Sequence, residues 1–209
     1  MNIIVFGASG ATGQQIVSQG LSAGHSVTAF VRNPEKITLQ HQLLRVVQGN
    51  VKNYKEVESA IQKQQAVIST LGVSKTFRHD PDVIQGVQHI VKAMEKHQVK
   101  RLVYQSTFGV PECRVDFGFF AQNVLPVLLH KEFQDHTHKE NLIRKSHLDF
   151  VIVRPVMLTN GPRTGKYRHG EKIVFSSLIS TISRADVAEF MLRQLSDPTY
   201  LYKAPRVMQ

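Results

Sequence analysis

The 209-residue sequence predicts an α/β fold, a doubly wound parallel sheet with a small C-terminal cap on its substrate side. Two observations predict it. Short runs rich in Val and Ile recur at residues 3–6, 27–31, 43–47, 66–69, 102–104 and 150–153, as expected of strands covered on both faces. Stretches with helical spacing alternate with these runs, which requires crossover helices above and below a parallel sheet.

Taken in order, residues 11–23 carry Ile16, Val17 and Leu21 on one side of a first helix. Residues 53–61 open on the capping residue Asn53 and present Val57, Ala60 and Ile61. Asp80 caps a third helix whose first residue is Pro81, a favoured opening, with a buried stripe of Val83, Val87, Ile90, Val91 and Met94. The mixed stretch 117–145 contains one helix running towards the strand at 150. Beyond Pro155 the pattern changes. "TNGPRTGKYRHGEK" reads as a basic loop, "KIVFSSLISTIS" as extended chain, "RADVAEFMLRQL" as a helix and "TYLYKAPRV" as a last strand. No internal repeat divides the chain, so residues 1–209 are expected to form a single domain, with about 156–209 as the cap.

Hydrophobic residues make up 42%, enough for a sizeable core. No stretch approaches the roughly 18–20 apolar residues of a membrane helix, and no basic lead with a long apolar region opens the chain. A soluble, cytoplasmic protein without a membrane partner is expected. The single cysteine, Cys113, leaves no internal disulfide and no multi-cysteine metal site. Lys and Arg total 26 against 16 Asp and Glu, a net charge of +10 that favours anionic partners. The basic residues are scattered, without long runs or interleaved aromatics, so nucleic acid is not expected.

Between the first strand and first helix stands "GASGATG", with Gly7, Gly10 and Gly13 three apart. In this order of elements the first glycine permits a sharp turn, the second lets backbone approach a pyrophosphate, and the third lets helix and strand pack closely. The helix N-terminus adds free N–H groups and a positive dipole end. This is the Rossmann-like arrangement for a dinucleotide. At the end of the second strand "FVRNP" puts Arg32 where an acidic residue would accept a ribose 2′-hydroxyl, with Lys36 one turn on. Two cations suit the extra phosphate of NADP, and NADP(H) is the expected cofactor. Later strand ends supply Gly49, Asn50 and Val51 for an adenine, then Thr70, Leu71 and Gly72, then Ser106 and Thr107 beside the nicotinamide. Ser106 is read either as a donor to a substrate carbonyl or as a plain strand-end serine.

"GASGATG", "VRNP", "QGNV", "STLG", "QSTFG", "HLDFVIVRPVML" and "ISRADVAEF" come in the order seen in atypical short-chain dehydrogenases. The chain resembles their NmrA-like NAD(P)H-binding and biliverdin reductase B (flavin reductase) branches. The resemblance implies Gly7, Gly10 and Gly13 under the pyrophosphate, with contacts from Ser9, Ala11 and Thr12. It implies Arg32 and Lys36 at the 2′-phosphate, Asn50 by the adenine, Leu71 and Gly72 along the ribose and adenine, and Pro155 on the nicotinamide side. The Tyr-x-x-x-Lys pair of typical members is missing from its place after Ser106. His136 stands where these branches carry Lys or His. It could donate a proton near neutral pH, or be one surface histidine of a His-rich run. His136 and Glu140 lie one helical turn apart, too few ligands for a metal, and none is expected.

The resemblance implies a reductase of a flavin, a quinone or another small conjugated carbonyl by direct hydride transfer from NADPH. An NmrA-like redox sensor that binds the dinucleotide and acts through a protein partner is the alternative. Arg163, Lys166 and Arg168 could close over an anionic substrate or form a solvated loop. Cys113, beside Arg114, is expected to be an inert thiol.

Overall fold

The computed structural model describes residues 1–72, 80–110, 112, 130–173 and 180–209. Cys113, the first part of the stretch 117–145 and the extended chain at 174–179 fall outside them.

Strand β1 (Asn2–Phe6) lies at the centre, between β2 (Ser26–Val31) and β4 (Ala66–Ser69), and is parallel to both. On the far side of β2 lies β3 (Leu44–Gln48). Beyond β4 come β5 (Arg101–Gln105) and β6 (Asp149–Pro155), also parallel. The order β3-β2-β1-β4-β5-β6 reverses direction between β1 and β4. Alternate residues of a strand face opposite sides, and both sides of β1 are buried. Ile3 and Val5 join one core with helix α1 (Ala11–Ser22), and Ile4 and Phe6 join a second core with α2 (Tyr54–Ile61) and α3 (Pro81–Lys96).

Asn53 caps α2 by accepting from the Lys55 N–H at 3.1 Å, and Asp80 caps α3 by accepting from the Val83 N–H at 3.2 Å. Helix α4 (His130–Arg144) adds Ile143 to the second core, and Asp135 on it accepts from the Asp80 N–H at 2.9 Å.

The C-terminal segment is more deeply built into the sheet than a cap. Strand β10 (Arg206–Met208) pairs parallel with β6, and β8 (Arg168–Gly170) pairs antiparallel with β10, so both extend the main sheet to eight strands. Helix α5 (Arg184–Arg193) packs on α1, where Gln19 Nε2 donates to the Ala185 carbonyl at 2.9 Å. Among the described strands, only β7 (Met157–Thr159) and β9 (Thr181–Ser183) stand apart, as a separate parallel pair. The expected last strand is shorter than predicted. Residues 199–202 turn, and Tyr202 takes a left-handed φ of 61° as its hydroxyl donates to Asp149 at 2.6 Å. The expected basic loop contains β8, whose three-residue length gives too little alternation to read.

Candidate functional site

The reversal between β1 and β4 opens a cleft at the strand ends, where an open α/β sheet places its ligands. The cleft holds about 670 Å³ and is lined by the turn Gly7, Ser9, Gly10, Ala11, Thr12 and Gly13, by Arg32, by Asn50 and Val51, and by Leu71 and Gly72. These eleven of the sequence-predicted residues therefore meet in one place.

The turn is shaped by its glycines. Gly7 has φ +80°, and a Cβ there would stand 2.7–2.9 Å from Thr70 at the end of β4. A Cβ on Gly13 would meet the Gly7 carbonyl at 2.1 Å, so α1 can start this close to β1 only with glycine. A Cβ on Gly10 would meet only the Gly7 carbonyl, at 3.2 Å, leaving its outer side open to a ligand. Gly10 caps α1 without a side-chain hydrogen bond, and no acidic residue sits in the first turn. The first-turn N–H groups and the positive helix end are thus available to a phosphate. This cradle fits a pyrophosphate.

Beyond the end of β3, Asn50 Oδ1 accepts from the Lys52 N–H at 3.1 Å, and Glu56 accepts from the Asn50 N–H at 2.7 Å. The turn thereby occupies the carbonyl oxygen of the Asn50 side chain. Its Nδ2 has no hydrogen-bond partner among the described residues and remains as the donor. Arg32 is exposed, and its side chain makes no ion pair among the described residues. Lys36 lies on the 3₁₀ turn Pro34–Lys36, exposed and outside the cleft lining.

Sequence reasoning missed the cleft residues Lys52, Asp82 and Arg184. Lys52 and Asp82 pair across 3.1 Å on the exposed rim. Arg184 reaches the cleft from the start of α5, far away in sequence; it stands in the "ISRADVAEF" motif, which by itself gave it no role at the site.

Ser106 and Pro155 close β5 and β6, and neither lines the cleft. Ser106 is buried, with its N–H donating to the Val153 carbonyl at 2.8 Å and its Oγ 3.4 Å from His136 Nδ1. Pro155 is buried and in register with Val207. His136 is not a surface residue, being only 7% exposed. Burial first, and then the Lys139 charge, holds its pKa well below the usual value near 6.5. Burial thereby favours the neutral imidazole over the titration near neutral pH that the sequence suggests. In that form it can hydrogen-bond, but it does not start as an imidazolium.

Below this contact, Arg154 forks onto Glu140, with Nε to Oε1 at 3.1 Å and Nη2 to Oε2 at 2.5 Å. Both side chains are buried, and Nη2 also meets Glu112 at 2.6 Å. Glu140 is committed to this pair, and no group of three or more potential metal ligands occurs among the described residues. Burial, with the Glu140 charge, pushes the Tyr104 hydroxyl far above its usual range, so it stays protonated.

The basic loop is held down. Asp186 accepts from the Thr164 N–H at 2.7 Å, the Gly165 N–H at 2.9 Å, and the Thr164 and Ser183 hydroxyls at 2.9 Å. These bonds tie residues 164 and 165 of the loop to the start of α5. Arg163, Lys166 and Arg168 are exposed and lie outside the cleft.

A glycine-turn anion cradle at the reversal point of a doubly wound sheet defines a dinucleotide-binding protein. A family model described as NAD(P)H-binding matches residues 7–198, and the chain belongs to that family. An uncharacterized chloroplastic protein of Arabidopsis thaliana is 30% identical over 92% of this chain and 72% of its own. The fold is shared with an anaerobilin reductase, ChuY, of Escherichia coli O157:H7 (20% identity, TM-score 0.82, covering 99% of this chain and 96% of that one). It is shared equally with a short-chain dehydrogenase/reductase of Veillonella parvula in complex with NADP (21% identity, TM-score 0.80, 100% and 94%). No described helix is long and apolar enough to cross a membrane.

Proposed function

We propose that the chain is an NADPH-dependent reductase of a flavin, a quinone or another small conjugated carbonyl. The observation that carries it is the buried Ser106–His136 contact at the end of β5, one strand beyond the cradle lined by β1 and β4. Arg32, cationic and free of an ion pair among the described residues, favours NADP(H) over NAD(H). When bound, the reduced nicotinamide supplies a hydride. Ser106 and neutral His136, buried against each other outside the cleft lining, would orient an acceptor by hydrogen bonds only after turning towards it. An acceptor that spreads negative charge over a conjugated system needs no strong acid from them. A cytoplasmic location and a small-molecule partner go with this reading. Purified protein should oxidise NADPH with FMN or a quinone as acceptor, followed by NADPH absorbance. No turnover across a broad panel of flavins, quinones and conjugated carbonyls would sink it.

The missing Tyr-x-x-x-Lys pair also supports a second reading, an NmrA-like sensor that binds without reducing. It requires a protein partner whose capture depends on the ratio of NADP to NADPH, and a pull-down insensitive to that ratio would count against it.

A further inference from the structure

We propose that Arg184 is a ligand of the cofactor's diphosphate and ties the β7–β9 segment to the bound dinucleotide. Arg184 is the only lining residue of the described cleft that comes from the second half of the chain. Its guanidinium is held on one edge: Nη1 donates to Asn160 Oδ1 at 2.7 Å and to the Leu158 carbonyl at 3.4 Å. Among the described residues, Nε and Nη2 have no partner. A planar fork anchored on one side and open on the other suits two oxygens of a phosphate.

The approach is set by packing. α5 lies on α1 through the Gln19–Ala185 hydrogen bond and the contact of Gly20 with Leu192, whose Cδ2 would stand 3.5 Å from a Cβ there. The helix whose N-terminus forms the cradle is therefore braced by the helix that starts with Arg184. The other cations of the cleft are placed for different work. Lys52 is paired with Asp82, and Arg32 stands at the end of β2, where a ribose 2′-phosphate would lie. The diphosphate carries two negative charges, and the glycine turn offers it N–H groups, the Ser9 and Thr12 side chains and a helix dipole, but no cation. Arg184 supplies full positive charge.

The inference rests on dinucleotide binding and not on reduction, so it stands or falls by affinity. NADPH and NADH are titrated by their fluorescence against the wild-type chain, Arg184→Gln and Arg32→Gln, with folding checked by circular dichroism. Arg184→Gln should weaken both dinucleotides by a similar factor of roughly ten, as loss of a charged hydrogen bond does. Arg32→Gln should weaken NADPH selectively. Arg184→Lys should recover part of the loss, because charge returns without the fork, and Asn160→Ala should loosen binding through the lost anchor. Unchanged affinity in Arg184→Gln, or a loss confined to NADPH, would overturn the assignment. Should Arg184→Gln fail to fold, Arg184→Lys and Asn160→Ala decide: if both bind both dinucleotides as wild type does, the assignment is wrong.

Discussion

His136 shows how far one residue's chemistry depends on its neighbours. The sequence marks the position but not its depth, because a His-rich helix with scattered apolar residues has no clear buried face. In the structure the ring sits beneath Ser106, and burial together with Lys139 favours the neutral form. A histidine whose folded pKa lies below its unfolded value binds fewer protons when folded, so stability rises with pH. The loss therefore begins as pH falls below about 6.5 and ends once pH passes the lower folded value. Denaturant titrations between pH 7 and 4.5 should show the wild-type chain losing more stability on acidification than His136→Gln. His25 and His169, also lowered, contribute equally to both proteins, so the difference isolates His136. Parallel curves would show that His136 titrates alike in folded and unfolded chains.

At the scale of elements, the residues legible in sequence are those whose constraint is local. Gly7 and Gly13 are dictated by a backbone turn within seven positions, Asn53 and Asp80 by their own helix starts, and Arg32 by the end of its own strand. The Lys52–Asp82 pair depends on elements distant in the chain, and no spacing announces it; Arg184 stands in the "ISRADVAEF" motif, but only the fold brings it to the cleft. Asp186 belongs to both groups. As an acidic residue in the first turn of α5 it is ordinary, and only the fold shows that it gathers the 160–165 loop. Its burial raises the carboxyl pKa, but hydrogen bonds from Gly165, Thr164 and Ser183 outweigh this and leave it below the usual carboxylate value. The stability it supplies is thus fully present above the unfolded value near 4 and is lost as pH falls through the lower folded value. Asp186→Ala removes the charged acceptor of the Thr164 and Gly165 hydrogen bonds and should cost about 2–3 kcal/mol at pH 7. It should also speed tryptic cleavage at Arg163 and Lys166. Unaltered cleavage would mean that the loop is held by something else.

Across the whole molecule, the order of strands makes the last described one a structural closure. β1 and β4 are readable because each is a buried apolar run with a helix after it. The far edge is readable only in part: a last strand is legible where the shorter β10 lies, but the three residues of β8, which pair with β10, are not. Yet Val207 and Met208 are fully buried, and Arg206 lies over the Phe108 ring at 5.2 Å. The Gln209 N–H donates to the Thr181 carbonyl at 3.0 Å, joining the main sheet to β9. Ending the chain after Pro205 would expose the edge of β6 and leave β8 without a partner among the described strands. Burial of two such side chains contributes roughly 3–6 kcal/mol, comparable with a typical total of about 5–15 kcal/mol. The shortened chain should melt far below the wild type and bind a hydrophobic dye such as ANS, whereas removing Gln209 alone should change little. NADPH should protect the wild-type chain against heat but leave the shortened one largely unprotected, since β10 holds β6 and β9 and, through β9, the start of α5. A shortened chain with wild-type melting and wild-type NADPH affinity would show that the cleft is held by the central strands alone.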